Sequence, residues 1–297
     1  MLDHWRRWRD RRYLARHPLP DDLWASTADV PSLAHLDAAE RTHLRALATL
    51  FLRDKAFYGA HDLPVTDEMR VRVAAEGCLP LLHLDGRHYT DFASVVLYET
   101  SFVARREERD EAGVVHETET EMLGESWDRG PLILSWEDVL HPPHDGANVV
   151  LHEFAHKLDG TDGVLDGRPP LRRGMRGADW QHAFQAAYDD LCARVDAAGD
   201  DEVDSDVDPY GAEAPEEFFA VCVELFFMAP ELLHGQYPDV YAQLRSWLGQ
   251  DPLRVAPPID RAEGAPTSSV PARAPANPGP AGAPAGTRGP HPPRTRP

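Results

Sequence analysis

The chain has 297 residues, with 30 Lys plus Arg against 50 Asp plus Glu, and a formal net charge of −20. That excess of acid argues against a nucleic-acid-binding protein, which relies on surplus Lys and Arg to contact phosphate. A hydrophobic content of 42% with 27% charged residues excludes a wholly disordered chain.

In chain order, residues 1–20 form an arm with Arg6, Arg7, Arg9, Arg11 and Arg12 around Trp5 and Trp8. It has no apolar stretch, so it is not expected to act as a secretory signal, and a solvated arm is the expectation. Leu44, Leu47, Phe51 and Leu52 recur at helical spacing and predict a helix over Asp37–Phe57. A shorter helix over Asp67–Glu76 is expected to end at Gly77. Strand-like material follows at Ala93–Val103, Val114–Val115 and Pro131–Trp136. Helical patterns then take over at Ala147–Leu158, Ala178–Ala198, Pro215–Met228 and Pro238–Leu248. Strands in the first half and helices in the second predict an α+β fold, one domain over 21–255. Residues 256–297 are mostly Pro, Ala, Gly, Ser and Arg, a composition with little to bury that predicts a disordered tail.

Cys78, Cys192 and Cys222 are far apart, odd in number and form no Cys-x-x-Cys pair. Neither a thiolate zinc site nor a disulfide framework is expected, and a cytoplasmic compartment is the simpler expectation. No apolar run reaches the roughly 18–20 residues that a membrane span needs.

One segment carries recognisable chemistry: His152-Glu153-Phe154-Ala155-His156, between Val149-Val150-Leu151 and Lys157-Leu158. In a helix, His152 and His156 sit one turn apart on one face and can aim two imidazole nitrogens at one ion. Glu153 is turned away by about 100° and so approaches a water held by that ion rather than the ion itself. Zinc suits such a site, because it accepts imidazole and carboxylate and keeps a position open for water. The apolar flanks argue against a merely solvated charged face.

A third protein ligand is required, and several acids are available. Asp159 lies three residues beyond His156 on the same helical face. Glu217 and Glu224 lie two turns apart on a later helix, both embedded among apolar residues, and Glu216 precedes the first of them. Buried carboxylates need partners. Helix capping accounts for Glu216 and a buried salt bridge for Glu224, which favours Glu217 as the ligand, but spacing alone does not choose between Glu217 and Glu224.

Several stretches together resemble the Mlc titration factor A family, bacterial zinc peptidases with a catalytic domain similar to that of anthrax lethal factor. They are Gly113–His116, Ser126-Trp127, Gly130–Trp136, His152–Asp159, Tyr210 with Pro215–Val221, and Glu224–Leu233, within a span of about residues 30–255. The resemblance implies a zincin-like peptidase domain with a small mixed sheet, an active-site helix and C-terminal helices. It implies one zinc ion held by His152, His156 and Glu217, with Glu153 as general base and Tyr210 stabilising the oxyanion. It also implies that His116 reaches the zinc from a loop. Glu216, an added acid directly before Glu217, departs from the pattern. In zinc peptidases of this architecture an extended substrate pairs with an edge strand, expected here at Leu132–Ser135. The expected function is a zinc aminopeptidase acting on peptides. The alternatives are a regulator-binding protein that sequesters a transcriptional repressor, and a non-peptidase zinc hydrolase.

Overall fold

Six arginines in the first sixteen residues do not prevent a helix: Leu2–Arg16 forms α1. The computed structural model describes residues 2–84, 88–100, 102–109, 115–122, 124–126, 130–142, 146–199 and 201–254, with residues 2–4 and those between 102 and 126 as backbone only. The tail expected over 256–297 lies outside the described residues. One face of α1 is tied down. Asp10 meets Arg53 at 2.7 Å, and the Arg53 guanidinium lies 5.1 Å over the Tyr13 ring. Trp5 and Trp8 face solvent.

After a short α2 (Asp21–Ala25), Ala38–Asp54 forms α3 behind a capping box. The Asp37 carboxylate accepts from Glu40 N at 2.8 Å, and the Glu40 carboxylate accepts from Asp37 N at 3.0 Å, so two orphan donors are satisfied at once. The helix expected to run to Phe57 stops earlier. Lys55 is extended, its ammonium donates to the Tyr89 and Phe92 carbonyls, and Ala56–Gly59 becomes strand β1. Conversely, α4 (Asp67–Cys78) runs through Gly77 instead of ending before it.

The strand-like stretch at 93–103 divides into β2 (Ser94–Tyr98) and the start of β3 (Phe102–Arg109), followed by β4 (Val115–Met122), β5 (Gly124–Ser126) and β6 (Leu132–Ser135). Strands β1, β2 and β6 pair in parallel, β5 pairs antiparallel to β6, and β3 and β4 form a separate antiparallel pair. One expectation is corrected here. Leu132–Ser135 cannot receive a substrate strand, because β2 pairs with β6 over these residues on one side and β5 takes the other. The strand beyond it, β5, is the edge of that sheet.

The remaining chain is helical: α5 (Trp136–Leu140), α6 (Val149–Asp159), α7 (Gly177–Ala198), α8 (Pro215–Met228), α9 (Pro230–Gln236) and α10 (Pro238–Leu248). Helix α6 lies between the β5–β6 side of the sheet and α8, and also touches α4. Val150, Leu151, Phe154, Ala155 and Leu158 of α6 are all buried. Phe154 joins Phe51, Tyr89 and Phe92 in one aromatic cluster. On the other side, Trp180, Phe184, Phe218, Phe219 and Trp247 form a second cluster that seats α8. Burying side chains of this size contributes about 1.5–3 kcal/mol each, which holds the two helices in fixed register.

Candidate metal centre

Helix α6 begins where Asn148 leaves the helical conformation and its side-chain oxygen accepts from Leu151 N at 2.9 Å. The apolar flanks then bury the helix, and the 3.6-residue repeat brings His152 and His156 together. Their Nε2 atoms face each other at 3.2 Å. Helix α8 starts with Pro215 at its first turn and delivers Glu217 into the same space. Glu217 Oε2 stands 3.1 Å from His152 Nε2 and 3.4 Å from His156 Nε2.

These separations suit a cation. Ligands about 2.0–2.2 Å from a tetrahedral ion stand about 3.4 Å from one another. Among the described residues, His152, His156 and Glu217 form the one group of three such side chains whose donor atoms converge in this way. Two imidazole nitrogens and one carboxylate oxygen are a donor set matched to a divalent transition metal with an open fourth position. Glu216 is not part of the group, nor is Asp159. The Asp159 carboxylate instead accepts from Asp166 N and Gly167 N at 3.0 and 2.8 Å and holds the loop that follows α6. His116 is in β4, opposite Glu108, and its side chain lies outside the described residues.

Electrostatics follow from burial against pairing. Burial opposes ionisation of Glu217, but hydrogen bonds from His152 and His156 outweigh it and hold the carboxyl well below the usual carboxylate range. Burial likewise disfavours a charged His152, yet the Glu224 and Glu217 carboxylates raise its pKa well above the ordinary imidazole value. Glu153, only 3% exposed, has an Oε2 with no hydrogen-bond partner among the described residues. Burial pushes its pKa up to about 7. A carboxyl with that pKa beside a candidate metal site is suited to accept a proton near neutral pH.

Tyr210 lies in a single turn of 3-10 helix, where Asp208 Oδ1 accepts from its backbone N at 2.9 Å. Its ring centroid is 6.1 Å from that of His152, and its residue exposure is 45%. Burial of the hydroxyl, followed by the charge of Glu217, raises its pKa. The cluster therefore combines three convergent donors, an acid with one oxygen unpartnered among the described residues, and a half-exposed phenol.

The buried salt bridge expected of Glu224 forms with a residue of the site itself. Glu224 is buried as expected, and its carboxylate Oε1 stands 2.7 Å from His152 Nδ1, on the side of the ring away from Glu217. The only sequence signal for this is the seven-residue spacing from Glu217.

Comparison with known proteins points the same way. Residues 5–248 match the family model described as glucose-regulated metallo-peptidase M90. An uncharacterized protein from Synechocystis sp. is 37% identical over 255 residues, 84% of this chain and 91% of that protein. Mlc titration factor A of Pectobacterium atrosepticum is 37% identical over 234 residues, 77% of this chain and 86% of that protein. Mlc titration factor A of Yersinia pestis is 35% identical over 233 residues, covering 77% and 85% of the two chains. The family match starts at residue 5 and so takes in most of the Arg/Trp-rich segment, which the resemblance in the sequence had left outside.

Proposed function

The chain belongs to the glucose-regulated metallo-peptidase family M90, and from that premise we propose that it is a zinc-dependent peptidase of the zincin type, an aminopeptidase acting on short peptides. The observation that carries this reading is the convergence of His152 Nε2, His156 Nε2 and Glu217 Oε2. These three residues would hold one zinc ion. Bound there, zinc supplies a Lewis acid that polarises a carbonyl and lowers the pKa of water to about 7.

The chain's own residues supply the rest. Glu153 accepts the proton of the attacking water at its unpartnered Oε2 and delivers it to the leaving amine. The Tyr210 hydroxyl donates a hydrogen bond to the carbonyl oxygen as negative charge grows on it. An extended peptide adds its backbone to the edge strand β5, beside α6. The net charge of −20 attracts the protonated amino terminus of a peptide, in line with aminopeptidase action. The free cysteines Cys78, Cys192 and Cys222 are compatible with the cytoplasm, and no helix among the described residues is long and apolar enough to cross a membrane.

A second role is favoured by the name Mlc titration factor A carried by relatives that are 35–37% identical to this chain over 233–234 residues. That name points to binding of a transcriptional repressor, a function compatible with peptidase chemistry. Aminoacyl anilides, longer peptides and simple esters, assayed with wild type and with Glu153→Gln, test the enzymatic reading. Peptide-bond cleavage abolished in the variant supports it. Ester turnover without peptide turnover turns the reading toward another hydrolase. Repressor capture that is unchanged in His152→Ala separates binding from catalysis.

A further inference from the structure

A line of buried and half-buried polar contacts runs from α4 to His152. Arg72 Nε donates to Glu76 Oε1 at 3.1 Å, and its Nη2 donates to the Val139 carbonyl at 2.9 Å. Glu76, fully buried, accepts through Oε2 from the Asn148 side-chain amide. The Asn148 backbone N–H donates to Glu224 Oε2, and Glu224 Oε1 meets His152 Nδ1. The orientation of the Asn148 amide is set independently. Its oxygen accepts from Leu151 N, so its NH2 group must face Glu76.

Two carboxylates buried behind a metal site need a reason, because apolar side chains of similar volume would fill the space without the desolvation penalty. Neither Glu76 nor Glu224 belongs to the converging donor group. Both oxygens of Glu224 are engaged, and an ionised carboxylate only accepts hydrogen bonds. The proton between Glu224 and His152 therefore belongs on Nδ1. Nε2, the nitrogen that faces His156 and Glu217, is then the one that gives up its proton and offers a lone pair when a metal binds.

We infer that Glu224 is the positioning residue that fixes the tautomer and ring orientation of His152, and that Asn148, Glu76 and Arg72 anchor Glu224 to α4. Asn148 is the joint of this device. One side chain caps the helix that carries both histidines, and the same residue holds the carboxylate that orients the first of them. The inference rests on His152, His156 and Glu217 being metal ligands, as proposed above.

Zinc affinity of the full chain, measured by competition with a chromophoric chelator, tests this together with ¹⁵N NMR of the His152 imidazole. Glu224→Gln offers one oxygen where two acceptors are needed. It is expected to weaken Zn²⁺ binding by about 10- to 100-fold and to populate the Nε2-protonated ring. Asn148→Ser keeps a helix-capping hydroxyl and loses the link to Glu76. It is expected to weaken Zn²⁺ severalfold, and it serves as the second variant should Glu224→Gln fail to fold. The inference is overturned if the folded variants bind Zn²⁺ within about twofold of wild type, or if His152 keeps Nδ1 protonated in Glu224→Gln. A lowered melting temperature with unchanged affinity and tautomer also overturns it, since that is a structural role alone. Failure of the wild type itself to bind Zn²⁺ removes the metal-site reading, and this inference falls with it.

Discussion

Gly77 of α4 lies so close beneath the ring of Phe154 in α6 that a β-carbon at position 77 would come within 2.4 Å of the ring carbon Cζ. In an open helix, replacing Gly by Ala is stabilising by up to about 1 kcal/mol. Here the sign reverses. Gly77→Ala is expected to destabilise the protein by about 1–3 kcal/mol, because Phe154 is hemmed in by Phe51, Tyr89 and Phe92 and cannot retreat. Gly235→Ala, in α9 with nothing within 4 Å of the added carbon, is the control and should be neutral or stabilising. Chemical denaturation of both variants checks the contrast.

Glu153→Gln keeps the size of the side chain and removes its basicity. Peptide hydrolysis is expected to fall by about 10²–10⁴-fold while zinc content stays that of the wild type. A variant with near-normal turnover would rule out Glu153 as the base. A variant that loses its metal would make Glu153 part of the binding set.

Tyr210→Phe removes a hydroxyl and little else, on a residue that is 45% exposed. Turnover should drop by about 10²–10³-fold with KM little changed, because the hydrogen bond proposed for Tyr210 forms as charge develops on the carbonyl oxygen. Stability should stay within about 0.5 kcal/mol of wild type. Steady-state kinetics on one anilide substrate, paired with a melting curve, separates the two effects.

Asp159 gives a pH signature of folding that is independent of turnover. Burial pushes its pKa up from 3.8 to about 6. A carboxyl that is harder to ionise in the folded than in the unfolded protein contributes stability that is fully present below its unfolded pKa. That contribution is lost as pH rises through about 6. The stability of wild type relative to Asp159→Asn should therefore fall by about 2 kcal/mol between about pH 4 and about pH 7. Urea unfolding of both proteins at the two pH values measures it, and a constant difference would contradict the assignment.

Local rules carried much of the architecture. The apolar spacing predicts a helix from Asp37 and the helical pattern predicts one from Pro215, and the structure keeps both starts within a residue. The pairing of His152 with His156 follows from helical spacing alone. What local rules missed depends on contacts distant in sequence. Nothing near Lys55 signals that carbonyls at 89 and 92 will pull its ammonium in and end α3. Gly77 reads as a stop, yet it is required by a ring 77 residues away. Asp159 has the spacing of a ligand, but the loop at 166–167 offers it two N–H groups and turns it away. The β-prone run 132–135 reads equally well as an edge or an interior strand, and only pairing on both sides decides.

The most direct measurement is the metal content of the purified full chain, with and without added Zn²⁺, beside His156→Ala. One zinc per chain, retained through dialysis and lost in the variant, is the predicted result. A wild-type protein that carries no stoichiometric transition metal and takes none up would contradict the central claim that His152, His156 and Glu217 form a metal centre.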